Sequence, residues 1–362
     1  MKKNNFLNLF IVLAFLFCAC EKKDLPQPEQ PPQDACASKI FVLCEGVWQM
    51  NNSTITAYDC TSGKTTGDVF LAANNRGLGD TGSDLQRYGS KMYCVVNMSE
   101  TVEIMDLDAH SLRQLSLAAH QPRHIAFHQN NAYVCCYDGA IIKIDTATLE
   151  ITGTGQAGSN PDGICVANGK LYVANSGGLN YPNYGHSVSV LDPTSLQVLK
   201  EIEIGTNPTR IQADPYGDVY VLCNGNYNDI APTLQRIDSQ NDELVQTFDF
   251  PLSNFTICND LAYLYYYDYS TQQAQIKVLN VVTENIVKEN FITDGTEIKT
   301  PYCIAANPAN GDVYIADAYQ YTTNGDVYCF SANGRKKFSF ETGINPCGIV
   351  ILPESISLCV HL

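Results

Sequence analysis

Five stretches of this chain mix tyrosine or tryptophan with asparagine, glutamine and aspartate, and hold almost no lysine. They are residues 45–52 (with Trp48), 175–186 (with Tyr181 and Tyr184), 224–229 (with Tyr227), 266–273 (with Asp268 and Tyr269) and 317–324 (with Tyr319 and Tyr321). Aromatic rings give rigid contact area at low entropic cost, and amides beside them give adaptable hydrogen bonds. The chemistry this suits is reversible recognition of a large amphipathic surface. Candidate contact residues are Trp48, Tyr181, Tyr184, Tyr227, Tyr269, Tyr319 and Tyr321, with Asn175, Asn226, Asp268, Arg123 and Arg210 supplying directional bonds.

Bond-making chemistry finds less support. There is no Gly-x-Ser-x-Gly elbow. The six histidines, at 110, 120, 124, 128, 186 and 361, are scattered, and a lone histidine is more often an ordinary side chain than a catalyst. Asp84, Asp162 and Glu45 are the carboxylates that could approach a divalent metal, but no second carboxylate set stands beside them. The expectation is a binding protein, not an enzyme, with no catalytic residue, resident metal or cofactor. Of 15 cysteines, 13 remain once Cys18 and Cys20 are set aside. They fall in apolar strands without metal-knuckle spacing and read as small buried hydrophobes, with one or two cross-strand disulfides left open.

The elements that must position these residues show themselves as a repeat. A strand centred on Phe41, Tyr93, Tyr133, Tyr172, Tyr220, Tyr263 or Tyr314 is followed by a second strand ending at Asp59, Asp106, Asp145, Asp192, Asp238, Asn280 or Ser331. Successive tyrosines stand 39 to 51 residues apart. Residues 161–205 hold four short alternating runs separated by Gly, Asn, Asp and Pro, which predict four antiparallel strands. Such units cannot stand alone and pack radially, so the fold is an all-β, seven-bladed β-propeller of four-stranded blades. Residues 346–352 form an inner strand with nothing after it, and residues 39–44 a second strand with no inner strand before it. Their pairing closes the ring. The repeat tyrosines themselves read as packed sheet residues.

In a four-stranded blade the loop between strands two and three shares a face with the start of the innermost strand. The tyrosine-to-turn distance is 13 and 12 residues in the units of Tyr93 and Tyr133, and 17 to 20 in the other five. The extra length, with its aromatic composition, therefore lies on one face of the disc, where Arg123 and Arg210 reach the channel mouth.

Lys2 and Lys3 precede an apolar run, Phe6 to Phe17, too short to span a bilayer. It reads as a secretory signal over residues 1–19. Phe17-Cys18-Ala19-Cys20 resembles a bacterial lipobox, which implies lipidation of Cys20 and attachment to the membrane through that anchor alone. Residues 20–35, with four prolines, read as a tether, and residues 36–362 as the propeller. The charges after Cys20 resemble the surface-export signal of Bacteroidetes lipoproteins, and Asp145-Thr146-Ala147 resembles that phylum's O-glycosylation triplet. Without Lys2 and Lys3, 20 basic residues face 38 acidic ones, a net charge of −18 that excludes nucleic acid as a partner.

Asn-Pro-x-x-Ile followed by Leu-Tyr-Val-Ala-Asn175 resembles the YncE-like and surface-layer seven-bladed propellers over residues 38–352. Glu45-Gly-Val-Trp48 with Asn51-Asn52-Ser53 resembles the start of Bacteroidetes propeller lipoproteins that include the BtuG-type cobalamin-binding proteins. The resemblance implies capture of a corrinoid at the outer-membrane surface and its delivery to a TonB-dependent transporter. Glycan capture uses the same residue types, a protein-binding adaptor is a further alternative, and lactonase-like metal hydrolysis is the least favoured.

Overall fold

The computed structural model describes residues 37–353, so the signal segment, Cys20 and the tether lie outside the described residues. These residues form 28 strands and one short helix, arranged as seven four-stranded antiparallel sheets. The seven-bladed propeller expected from the repeat is the observed fold. Blades are numbered here from the N-terminus. Blade 1 is the closing blade: its innermost strand, Pro346–Pro353, pairs with Ala37–Cys44, which continues to Thr54–Asp59 and Lys64–Asp68. Val42 stands opposite Ile349, so residues 307 positions apart in sequence share one ladder.

Both faces of each sheet are covered by neighbouring blades, which is why the second strands read as almost unbroken apolar runs. In Ala37–Cys44, Phe41 and Leu43 join the core shared with blade 2, while Ile40, Val42 and Cys44 join the core shared with blade 7. The period of two thus assigns successive residues to different interfaces. Each of the seven interfaces has its own cluster, and each cluster holds one member of the repeat series, from Phe41 to Tyr314, every one nearly fully buried.

The second repeat marker has an equally local cause. Asp59, Asp145, Asp192 and Asp238 accept backbone N–H groups two or three residues on, and Asn280 does the same through Oδ1, so each closes its own turn. The two markers also meet. Tyr133 Oη donates to the Pro193 carbonyl at 2.9 Å, Tyr172 to Ser239 at 3.2 Å and Tyr220 to Val281 at 3.3 Å. In each case the acceptor directly follows the turn residue of the next blade. Ten cysteines of the described residues, among them Cys44, Cys135, Cys136 and Cys303, are free.

Six of the seven innermost strands carry a register shift at their leading end, which leaves Ser83, Arg123, Asp162, Thr209, Tyr302 and Cys347 outside the ladder. In blade 6 the strand Asn254–Cys258 pairs without a shift and starts three residues beyond Pro251. A bulge re-aims the extra residue, and here the six extra residues ring the channel mouth.

Tyr93 tests the tyrosine bond, because its buried hydroxyl has no partner among the described residues; Lys91 takes the equivalent carbonyl, that of Thr146, at 3.2 Å. Tyr133→Phe should cost about 1 kcal/mol, whereas Tyr93→Phe should be neutral or stabilising. Urea midpoints measure both; equal effects would mean that the hydroxyls contribute nothing to blade contact.

Candidate functional site

On the loop face, long connections rise from blades 1, 4, 5 and 7, and blades 2 and 3 have short ones of residues 97–100 and 137–139. Blade 6 departs from the expected loop. Its hairpin strands Leu261–Asp268 and Gln273–Asn280 simply run longer, lifting Tyr267 and Tyr269 above their neighbours. The result is a horseshoe wall over five consecutive blades, open at blades 2 and 3.

Two aromatic arcs line it. On blades 4 and 5, Tyr184 stands edge-on between Tyr181 and Tyr227, with ring centroids 6.1 and 5.9 Å away. On blades 6 and 7, Tyr267 meets Tyr269 edge-on at 4.8 Å, the Tyr269 and Tyr321 hydroxyls are 3.4 Å apart, and Tyr321 meets Tyr302 at 5.9 Å. Tyr302 Oη donates to Glu45 Oε2 at 2.5 Å, carrying the arc into blade 1. Trp48, Tyr181, Tyr227 and Tyr269 are 63%, 75%, 72% and 74% exposed, a large apolar area to leave in water.

The Trp48 loop is pinned from both sides. Asp80 of blade 2 accepts the Gln49 and Asn51 N–H groups at 3.2 and 3.3 Å, and Asn345 Nδ2 donates to the Gly46 carbonyl at 2.8 Å. Gly46 has φ +81°, and a Cβ there would lie 2.4 Å from Asn52 Oδ1, so the turn requires glycine.

Inside the horseshoe lies the charged belt of the mouth. Arg123 Nε donates to Asp162 Oδ1 at 2.8 Å, and its guanidinium lies 4.8 Å from the centre of the Tyr137 ring. His124 Nδ1 meets the Asp162 carbonyl, an acceptor only, so this nitrogen carries the proton. Burial lowers the His124 pKa, against the raising influence of Asp84 and Asp162. Asp84 accepts from Ile125 N at 3.0 Å and Gln86 Nε2 at 3.1 Å. Below the mouth, the innermost strands enclose a channel of about 700 Å³ whose lining includes Asp84, His124, Arg210 and Cys303. Among the described residues, no group of three or more His, Cys, Asp or Glu is arranged to hold a metal ion.

Several expected contact residues have other duties. Asn175 is buried, its Nδ2 within reach of Ser187, Ser189 and Glu201 oxygens and its Oδ1 accepting from Gly158 N, so its amide is spent inside blade 4. Asn226 Oδ1 accepts the N–H groups of residues 228, 229 and 230, and Asp268 Oδ1 those of Ser270 and Thr271. Both hold the tips that present Tyr227 and Tyr269. Tyr319 leaves the mouth: its hydroxyl engages Asp326 and Tyr328, and its ring lines a lateral cavity of about 870 Å³ between blades 6 and 7. Thr146 of the expected glycosylation triplet is buried and donates to the Asn130 carbonyl at 3.0 Å.

Tyr137 belongs to the site although loop length does not point to it, and so does Tyr267, which stands inside the 266–273 stretch but is not among the candidate contact residues. Tyr137 directly follows Cys136, which pairs with Pro122 at the start of an innermost strand, and that adjacency is the signal that would have found it.

A family model described as "Domain of unknown function (DUF5074)" matches residues 39–343. No curated protein matches the chain. Among solved structures, a quinonprotein alcohol dehydrogenase-like protein from Bacteroides thetaiotaomicron is similar at TM-score 0.65 and 17% identity, with 88% of this chain and 79% of that one covered. A functionally unknown protein from Desulfotomaculum acetoxidans gives 0.63 and 12%, covering 87% and 99%. Hydrazine synthase of Kuenenia stuttgartiensis gives 0.62 and 13%, covering 74% and 88%. At these identities the likeness is one of fold.

Asp80→Ala should free the loop that carries the chain's single tryptophan. Fluorescence anisotropy of Trp48 should fall with far-UV circular dichroism unchanged; an unchanged anisotropy would mean that Asp80 does not hold the loop. At Glu45, burial raises the carboxyl pKa above its ordinary 4.5, against the lowering effects of the Tyr302 bond and of Arg123. The folded state then binds the proton more tightly than the unfolded chain, so this group's contribution is full below pH 4.5 and is lost as pH rises through its folded value. Glu45→Gln should match wild type below about pH 4 and melt higher near pH 7. A lower neutral melting temperature in the variant would show that burial is not the controlling effect.

Proposed function

The chain belongs to the DUF5074 family, and from that premise we propose that it is a capture protein: a lipid-anchored propeller, displayed at the outer-membrane surface, that binds a corrinoid on its loop face and passes it to a TonB-dependent transporter. The observation that carries this reading is the horseshoe of exposed aromatic residues around a polar, charge-paired mouth. A corrinoid is a broad, flat, largely apolar ring fringed with amide arms. Trp48, Tyr181, Tyr184, Tyr227, Tyr269, Tyr321 and Tyr302 would provide the apolar contact, and the open side at blades 2 and 3 leaves a way in. Arg123 and Arg210 would supply hydrogen bonds to the arms.

Binding in preference to catalysis is supported by how the mouth carboxylates are occupied. Glu45 receives Tyr302, Asp84 receives Ile125 N and Gln86, and Asp162 receives Arg123, so each is already engaged by a protein donor. The exposed rings of Tyr181 and Tyr227, each edge-on to Tyr184, favour a second reading, glycan capture, since exposed aromatic faces suit the apolar faces of sugars.

Calorimetric titration of the chain lacking residues 1–35 with cyanocobalamin tests the first reading. Tight one-to-one binding is expected, weakened by about tenfold or more in Trp48→Ala or Tyr227→Ala, as loss of a buried aromatic anchor does. Heat indistinguishable from buffer at micromolar protein would refute corrinoid capture, and binding of oligosaccharides would then carry the second.

A further inference from the structure

One residue beyond each bulge, the innermost strands place a second ring inside the channel: Asp84, His124, Gly163, Arg210, Cys303 and Gly348. Gly163 is fixed by packing, since a Cβ there would stand 2.4 Å from the Thr209 carbonyl oxygen. The two glycines leave the ring open in blades 4 and 1, so its polar chemistry rests chiefly on Asp84, His124 and Arg210. These are not equally satisfied. Asp84 accepts two hydrogen bonds, and His124 is held through Nδ1 by the Asp162 carbonyl. The neighbouring Arg123 is both ion-paired and stacked. Arg210 is left over. Its Nε is buried without a hydrogen-bond partner, and among the described residues its guanidinium meets no carboxylate.

The surroundings do not neutralise it. Asp84 belongs to blade 2 and Arg210 to blade 5, with the channel between them. On Arg210's own side are Tyr265, whose hydroxyl donates to the Tyr302 carbonyl at 2.7 Å, and Cys303, whose thiol burial pushes up to about 11. Neither offers a negative charge. A guanidinium stays protonated and presents five donors in a planar fork. Held partly buried and unpaired, it carries a desolvation cost that an anion relieves. Carboxylates and phosphates are the anions whose oxygens fit the fork.

We propose that Arg210 is an anion site within the channel, which takes the carboxylate or phosphate group of a ligand seated on the loop face and so selects anionic ligands over neutral ones. The inference rests on the capture reading for the origin of the ligand, while the anion site itself is tested apart from it. Inorganic phosphate and acetate are titrated separately, at constant ionic strength, into wild type, Arg210→Gln and, as a control on the outer strand Ser111–Ser116, Arg113→Gln. One anion per chain is expected in wild type, with about tenfold or greater weakening in Arg210→Gln and no change in Arg113→Gln. Binding of phosphate alone assigns the site to phosphate esters, and of acetate alone to carboxylates. Equal binding by wild type and Arg210→Gln, or no binding of either anion, overturns the proposal.

Should Arg210→Gln fail to fold, phenylglyoxal labelling of wild type gives the same decision. The anion must protect Arg210 while the exposed Arg113 and Arg335, which lie outside the channel lining, stay reactive. Arg210 labelled equally with and without anion, or never labelled, overturns it. Neither measurement uses a corrinoid, so a failed cyanocobalamin titration would remove the proposed ligand without touching Arg210, and the reverse holds as well.

Discussion

The disc is held together by contacts that pass from each blade to the next, and the repeat tyrosine is where they concentrate. A four-stranded sheet that is apolar on both faces has no stable surface of its own in water. Every blade must therefore bury one face against the blade before it and the other against the blade after it. The ring at position 133, 172 or 220 fills the interface, and its hydroxyl satisfies a carbonyl in the next blade's turn. That carbonyl is in place because the preceding Asp or Asn has already shaped the turn. Where the hydroxyl is missing, at Phe41, the short helix Val69–Asn74 brings Phe70 into the same core. Closure then follows from the same need: without Pro346–Pro353 beside Ala37–Cys44, one blade would keep a bare edge.

From that rigid ring the mouth is made by a small irregularity repeated six times. Each bulge removes one residue from the ladder and delivers it to the rim, while the residue after it enters the channel. Arg123 and Asp162 face each other across neighbouring blades because both occupy the bulge, not because of any loop. Arg210 sits one step deeper and so misses that partnership. A one-residue difference in position along equivalent strands thus separates a satisfied arginine from an unsatisfied one. The exposed tyrosines above this belt are held by loops whose own polar residues are consumed in shaping them, as at Asn226 and Asp268.

Much of this was legible in the chain itself. Blade number, strand order, the closing pair and the bland role of the repeat tyrosines all follow from local alternation and turn chemistry, which act over a few residues and leave their trace in sequence. The concentration of long connections on one face was legible as well, because the direction of each strand is fixed once four strands are assigned. Residue type alone, however, does not tell an amide that meets a ligand from one that meets its own backbone. Asn175, Asn226 and Asp268 carry the composition of a binding surface and serve the fold, and Tyr319 turns to a lateral cavity by bonding Asp326 and Tyr328.

The sequence by itself determined the propeller, its closure and the face that carries the aromatic residues, since each depends on periodicity and on interactions between near neighbours in the chain. Only the tertiary structure decided which of those residues converge: that Tyr302 joins Glu45 across the closing blade, that Tyr137 lies under Arg123, and that Arg210 lines the channel with its Nε buried and unpartnered among the described residues. The reason is geometric. These partners come from different blades and meet through bulges and the curvature of the ring, which bring together residues tens to hundreds of positions apart and leave no periodic signal in the chain.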